Sequence, residues 1–160
     1  MDIGPFTNIS VMKLRLIICL TVFQLFSPAI NAQEYADDII GVWLTNGKEP
    51  AKIQIYKSYD KFYGKIIWLQ NPEKDGKARV DANNPDESKR NRPIINLGIL
   101  TGFKFDRDDK EYTGGKIYDP ESGKTYNCQL SLRSKNTLKV RGYVGWSLFG
   151  RTEIWTRITE

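Results

Sequence analysis

Apolar and polar residues alternate with period two along most of the chain after residue 40. This period is typical of β-strands that bury one face. The alternation covers residues 52–56, 62–68, 125–133, 138–144 and 153–158. It predicts that the following apolar side chains face inward: Ile53, Ile55, Phe62, Ile66, Trp68, Tyr126, Cys128, Leu130, Leu132, Leu138, Val140, Val144, Ile154 and Ile158.

Short polar segments between these runs predict turns at residues 58–60, 106–110, 119–123 and 135–136. No window of twelve residues carries an apolar stripe at helical spacing, and a single turn at residues 87–91 is the one helical candidate. We therefore predict an all-β domain of seven to nine short antiparallel strands. An up-and-down meander of this kind closes into a small barrel, which removes its unpaired edges. A β-sandwich is the alternative.

Glycines inside the predicted strands support closure, because a sheet can bend sharply or approach another backbone closely where no Cβ intervenes. They are Gly64, Gly114, Gly115 and Gly142. The polar segment 71–93 breaks the alternation and predicts a long surface loop, which is typical of functional or disordered connections.

The N-terminal segment predicts export. Lys13 and Arg15 precede an apolar run at residues 16–26, and Ala32 offers a small residue for cleavage. This is the pattern of a secretory signal peptide, and the run is too short to span a membrane. We therefore divide the chain into a signal peptide at residues 1–32 and one barrel domain at residues 33–160. Met12 opens a complete signal and is an alternative start. The expected location is the periplasm or the extracellular space.

The mature region contains a set of distinctive motifs. They are Gly41-Val42-Trp43-Leu44, Tyr63-Gly64-Lys65-Ile66-Ile67-Trp68-Leu69, Asp81-x-Asn83-Asn84-Pro85-Asp86 with Arg92-Pro93, Gly114-Gly115-Lys116-Ile117-Tyr118-Asp119-Pro120, Gly123-Lys124-Thr125-Tyr126, Val140-Arg141-Gly142-Tyr143, Ser147-Leu148-x-Gly150-Arg151-Thr152 and Trp155-x-Arg157. In combination these motifs resemble domain-of-unknown-function family 2147, a family of exported bacterial proteins. The resemblance implies a small lipocalin-like barrel without an assigned activity or catalytic residue.

Gly41 and Trp43, together with the late Arg157, also resemble the lipocalin superfamily. In lipocalins, a tryptophan of the first strand packs at the closed end of the barrel and an arginine of the last strand lies across it. The resemblance implies that Trp43 is buried and that Arg157, before Arg151, contacts its ring through a cation–π interaction.

The chain contains no His, which removes the commonest general base and metal ligand. We therefore expect no metal and no cofactor, and a non-enzymatic function is favoured. The alternatives are a carboxylate-dependent hydrolase that uses Asp81, Asp86 or Asp119, and a calcium loop at residues 81–86. For these carboxylates the competing interpretation is that each one caps a turn.

Two further features have structural explanations. Cys128 lies in an alternating strand, where a small buried side chain competes with a reactive thiol. The net charge is +5, but acidic and basic residues are interleaved throughout the chain. A solvated surface explains this charge better than nucleic-acid binding, so we expect no nucleic-acid partner.

The segment 144–151 is apolar although it connects two strands, so its side chains must cover the core, a ligand or a partner. If a site exists, we expect it at this end of the barrel and not in the long polar loop. The arginines favour an anionic head group, although pairing with Glu153 or Asp119 competes with this. The candidate ligand-binding residues are Tyr118, Tyr126, Arg141, Tyr143, Trp146, Leu148, Phe149 and Arg151.

The leading hypothesis is a non-enzymatic barrel that binds a small apolar or anionic amphiphilic ligand. The second hypothesis is a periplasmic module with a solid core that binds proteins or cell wall, and the third is the hydrolase. The presence of a cavity distinguishes the first two. The sequence makes no prediction of the oligomeric state.

Overall fold

The computed structural model describes residues 35–145 and 150–159, and the compact unit begins at Ala36. Within the described residues, helix is confined to residues 35–37 and a 3-10 helix at Glu87–Lys89. The strands are β1 (Gly41–Leu44), β2 (Ala51–Ser58), β3 (Lys61–Leu69), β4 (Glu73–Lys74), β5 (Lys77–Ala78), β6 (Gly98–Asp106), β7 (Glu111–Asp119), β8 (Lys124–Ser134), β9 (Thr137–Tyr143) and β10 (Gly150–Ile158).

Eight of these strands form a closed antiparallel barrel in the order β1-β10-β9-β8-β7-β6-β3-β2. The first and last strands pair with each other, as in Trp43 opposite Arg157, so the sheet has no free edge. The remaining strands, β4 and β5, form a separate hairpin. The predicted all-β antiparallel barrel is therefore confirmed, and the four predicted turns connect strands in the structure.

One end of the barrel is filled with large side chains, and we call it the closed end. Trp43, Phe62, Phe103 and Tyr112 are buried there or just above it. The ring of Phe62 meets that of Tyr112 edge to face at 5.2 Å, a favourable aromatic geometry. The Tyr112 hydroxyl donates to the Ala36 carbonyl at 2.8 Å, so the burial of its polar atom is compensated.

The structure contains the contact between Trp43 and Arg157 that the lipocalin resemblance implies. The guanidinium carbon of Arg157 lies 4.2 Å from the centroid of the fully buried Trp43 ring. Its nitrogens also donate to the carbonyls of Lys135 at 2.7 Å, of Ile40 at 2.8 Å, and of Asp38. One side chain thus joins the start of β1, the end of β10 and the β8–β9 turn.

Two of the predicted strand faces are wrong, and Val144, which was also predicted to face inward, lies beyond the end of β9 and is 66% exposed. Trp68 is 40% exposed, because a bulge in the β2–β3 pairing inserts Ile67 and leaves Leu69 as the inward residue. In β10, Ile154 is 39% exposed while Trp155 is buried opposite Leu138. The larger indole buries more apolar area than an isoleucine would, and this orientation lets β10 close the barrel.

The predicted signal peptide lies outside the described residues. In the described part of the chain, no helix is long and apolar enough to cross a membrane.

Candidate functional site

Among the described residues, the end of the barrel opposite Trp43 is hollow, and we call it the open end. It contains a cavity of about 1070 Å³. This exceeds the size of most small-molecule pockets, which range up to ~1,000 Å³. The deeper wall consists of side chains that face inward from the strands: Ala51, Ile53, Ile66, Leu69, Ile99, Ile117, Tyr126, Val140 and Trp155.

The rim of the cavity is charged and electrically balanced. Five basic and five acidic residues line it: Lys48, Lys74, Lys77, Arg79 and Arg151, with Glu49, Asp75, Asp119, Glu121 and Glu153. An apolar interior below a polar rim is the arrangement that holds an amphiphilic molecule with its polar group at the mouth.

Both arginines of the rim already have carboxylate partners. Arg151 pairs with Glu153 at 3.0 Å, and Arg79 pairs with Glu49 and, at 3.7 Å, with Glu121. Glu153 also accepts from the indole nitrogen of Trp155 at 3.1 Å, which fixes this carboxylate to the cavity wall. The pairing of Arg151 with Glu153 weakens the case that arginines select an anionic ligand.

The candidate residues predicted from the sequence divide into three groups. Tyr118, Tyr126, Tyr143 and Arg151 line the cavity. Arg141 does not, because it alternates with the inward-facing Val140 and Gly142 and donates to Thr152 at 2.9 Å across the outer face. The third group lies outside the described residues and consists of Trp146, Leu148 and Phe149.

The cavity opens at the end that bears the β9–β10 connection, since Val144 and Gly150 both line it. The long polar loop lines it as well, from Lys74 to Asn83. The loop therefore also borders the candidate cavity, which the sequence analysis did not predict. The loop folds over the mouth because its polar groups find partners on neighbouring turns.

A buried carboxylate holds the second half of this loop in place. Asp81 is fully buried and accepts from the Tyr118 hydroxyl at 2.6 Å, the Asn84 amide at 2.6 Å and the Arg92 guanidinium at 3.4 Å. Burial, together with the hydrogen bond to Asp81, raises the pKa of Tyr118 to about 12. These contacts join the loop to β7.

The β7–β8 turn packs against the same part of the loop. The Asn83 amide donates to the Glu121 carbonyl at 2.6 Å. A Cβ at Gly123, where φ is +69°, would lie only 1.9 Å from the Asn83 carbonyl oxygen. Only glycine therefore allows this close approach of the two backbones.

The carboxylates considered for hydrolysis or calcium binding have separate structural partners. Asp86 caps the 3-10 helix and pairs with Lys89 at 2.6 Å, and the hydrogen bonds from Lys89 and Ser88 lower its pKa to about 2. Asp119 accepts from the Glu121 amide and the Ser122 hydroxyl. Among the described residues, no group of three potential ligands is arranged to hold a metal ion.

Cys128 lies in the core and not in the cavity wall. It is 1% exposed, and burial raises the pKa of its thiol to about 12. The thiol is therefore protonated at neutral pH and lacks the nucleophilicity of a thiolate.

Sequence reasoning missed Trp155 and Glu153 as wall residues, although a signal was present. If Arg157 packs inward on Trp43, the period of two places Trp155, Glu153 and Arg151 on the same inner face. The sequence analysis instead placed Ile154 and Ile158 inside the barrel, which would put Trp155 and Glu153 on its outer face.

Among solved structures, the chain is similar to protein HP1028 from the human pathogen Helicobacter pylori, which is described as belonging to the lipocalin family. The two are 25% identical with a TM-score of 0.68, and the match covers 76% of this chain and 84% of that chain. A search of curated proteins found no match. The family model described as "Uncharacterized protein conserved in bacteria (DUF2147)" matches residues 41–157, so the chain belongs to this family.

Proposed function

We propose that this protein is an exported, non-enzymatic barrel that binds a small apolar or amphiphilic molecule in the cavity at its open end. The observation that carries the proposal is the cavity itself, with its apolar wall and charged rim. Small barrels either fill with side chains or hold one ligand, and the described residues fill this barrel at the closed end and leave a cavity at the open end.

The rim suggests which polar group the ligand carries. Because the rim has equal numbers of basic and acidic residues, a neutral or zwitterionic group suits it better than the anionic group favoured from the sequence. The ligand is therefore an amphiphile whose apolar part lies against Ile117 and Trp155.

The other two hypotheses have less support. A binding module with a solid core does not account for a cavity of about 1070 Å³. Hydrolysis would need a facing pair of carboxylates, but of the predicted Asp81, Asp86 and Asp119 only Asp119 lines the cavity. The rim carboxylates of Glu49, Glu121 and Glu153 are held in ion pairs with Arg79 or Arg151.

Cavity filling tests the proposal. Ile117→Trp places a large ring in the cavity, whereas Ile154→Trp makes the same change on the outer face of β10. The ligands are three dansyl-labelled probes with the same alkyl chain and a carboxylate, a phosphocholine or a hydroxyl as the polar group. Far-UV circular dichroism confirms that both variants fold.

We expect the wild type and Ile154→Trp to bind the phosphocholine or hydroxyl probe, and Ile117→Trp to bind it at least about 10-fold more weakly, a loss of ~1.4 kcal/mol. Failure of the wild type to bind any of the probes contradicts ligand binding. Equal binding by both tryptophan variants contradicts the location of the site. Preferential binding of the carboxylate probe contradicts the preference for a neutral or zwitterionic group.

A further inference from the structure

The β4–β5 hairpin stands at the mouth of the cavity without a buried side chain. Residues 73–78 are all exposed, yet Lys74, Asp75, Lys77 and Ala78 line the cavity. The hairpin forms locally, since Asp75 and Gly76 adopt positive φ values of 53° and 70°, as a tight two-residue turn requires. An isolated two-stranded hairpin has marginal stability, so its position depends on its attachments.

The remainder of the long loop is fixed. Asp81 is fully buried with three side-chain partners, and the apolar Ile94 and Leu97 belong to the core. The Asn96 amide donates to the Ile66 carbonyl at 2.7 Å, which ties the end of the loop to β3. The loop therefore consists of a fixed second half and an exposed hairpin.

Arg79 lies at the junction between these halves. Its amide donates to the Pro72 carbonyl and its carbonyl accepts from the Ile94 amide, each at 3.0 Å. Its guanidinium pairs with Glu49, in the loop between β1 and β2, and reaches Glu121, in the β7–β8 turn. One side chain thus connects the base of the hairpin to two other loops of the rim.

We propose that the β4–β5 hairpin is a flap over the cavity and that Arg79, through Glu49 and Glu121, is the latch that holds it closed. The role of the flap in ligand entry rests on the proposed function, whereas the opening of the flap does not depend on it. The latch is partly exposed to water, with Arg79 at 21% and Glu121 at 66% side-chain exposure. Ion pairs of this kind are weak, so the flap opens without unfolding the barrel.

The first experiment measures the flap without a ligand. Spin labels are attached at Lys77→Cys on the flap and Lys124→Cys at the start of β8, in a background where Cys19 and Cys128 are both replaced by Ala. Distances between the labels are measured by pulsed electron resonance. There are two latch variants: the single variant Arg79→Gln, and the double variant Glu49→Gln with Glu121→Gln on the partner loops. The control is Arg90→Gln, which removes the exposed ion pair with Glu87 from the fixed half of the loop.

We expect one dominant short distance in the parent and in Arg90→Gln. Both latch variants should shift most molecules to a broader, longer distribution. Circular dichroism should show an intact barrel in each variant. An unchanged distribution in the latch variants, or an equal change in Arg90→Gln, overturns the latch.

The second experiment measures entry by stopped-flow fluorescence with the phosphocholine probe. Both latch variants, which change the rim charge in opposite directions, should raise the association and dissociation rates by several fold. If the latch variants lengthen the spin-label distance but leave the binding rates unchanged, the flap moves but has no role in ligand entry. If the wild type does not bind the probe, the proposed function fails, and the distance measurement still decides whether the flap exists.

Discussion

At the scale of single residues, Arg157 makes several separate contacts at the closed end. It covers the ring of Trp43, donates to three carbonyls and lies against Gly41, where a Cβ would approach its guanidinium to 2.5 Å. Removing the guanidinium removes three hydrogen bonds and the contact with the Trp43 ring together, which costs more than the loss of an exposed ion pair.

We therefore expect Arg157→Met to lower the free energy of unfolding by about 2–4 kcal/mol. The matched control is Arg133→Met, an exposed arginine of β8, which should change stability by less than about 0.5 kcal/mol. Urea denaturation followed by tryptophan fluorescence measures both. Similar stabilities of the two variants would mean that Arg157 does not hold the closed end together.

Tyr118 predicts a specific dependence of stability on pH. Its pKa is about 12 in the folded protein and 10.0 in an ordinary tyrosine. Between these values the unfolded chain loses a proton that the folded protein retains, so the stabilisation is complete below pH 10 and is lost as pH rises toward 12.

The prediction is tested by comparing the wild type with Tyr118→Phe in denaturation experiments at several pH values. At pH 7 the variant should be less stable, because Asp81 loses a hydrogen bond. The difference between the two proteins should decrease above pH 10. Cys128 also titrates in this range, but it is present in both proteins and cancels in the difference. A difference that stays constant would contradict the raised pKa.

At the scale of elements, the close packing of β7 against β6 depends on a glycine. Gly115 follows a bulge in the β7–β8 pairing, and a Cβ there would lie 2.4 Å from the ring of Phe103. Phe103 is fully buried, so its ring has no free space into which it could move.

Gly115→Ala should therefore destabilise the protein by about 1–3 kcal/mol through overpacking. Gly98→Ala is the control, because Gly98 also lies in a strand, beside open space. Thermal denaturation should show a lower midpoint for Gly115→Ala alone. If the double variant Gly115→Ala with Phe103→Leu recovers none of the lost stability, the clash with the Phe103 ring is not the cause of that loss.

The strands could be predicted from the sequence because their signals are local. The alternation and the turns, such as residues 119–123, locate β2, β3, β8, β9 and β10, whereas no prediction covered β6. The inward face of β10 could not be read from alternation alone, because Ile154 and Trp155 are both apolar neighbours. The hairpin at residues 73–78 was not predicted, because it lies in a polar segment without alternation. Asp75-Gly76 is nevertheless a strong local signal for a hairpin turn.

The candidate site could be predicted only in part. Tyr118, Tyr126, Tyr143 and Arg151 were singled out because they flank strand ends, and all four line the cavity. The role of the long loop could not be predicted, because it depends on the hydrogen bond between Asp81 and Tyr118, which are far apart in the chain. Such contacts follow from the tertiary fold and leave no periodic signal.

At the scale of the whole molecule, export remains a prediction. The basic residues and apolar run at residues 12–32 carry it, and the structure describes neither. We expect mature protein recovered from the bacterial envelope to begin near Gln33. N-terminal sequencing and intact-mass measurement test this, and a mature protein that retains residues 16–26 would indicate a membrane anchor instead.

Because β1 pairs with β10, the strands form a closed ring, although the chain that connects them has two ends. Gly41 begins β1 and Ile158 ends β10, and both lie at the closed end. A short linker from residue 158 to residue 36 could therefore join them, and new termini could open in the exposed β6–β7 turn at residues 107–110. Such a circular permutant would keep every strand pairing, and its cavity, at the opposite end, would be unchanged.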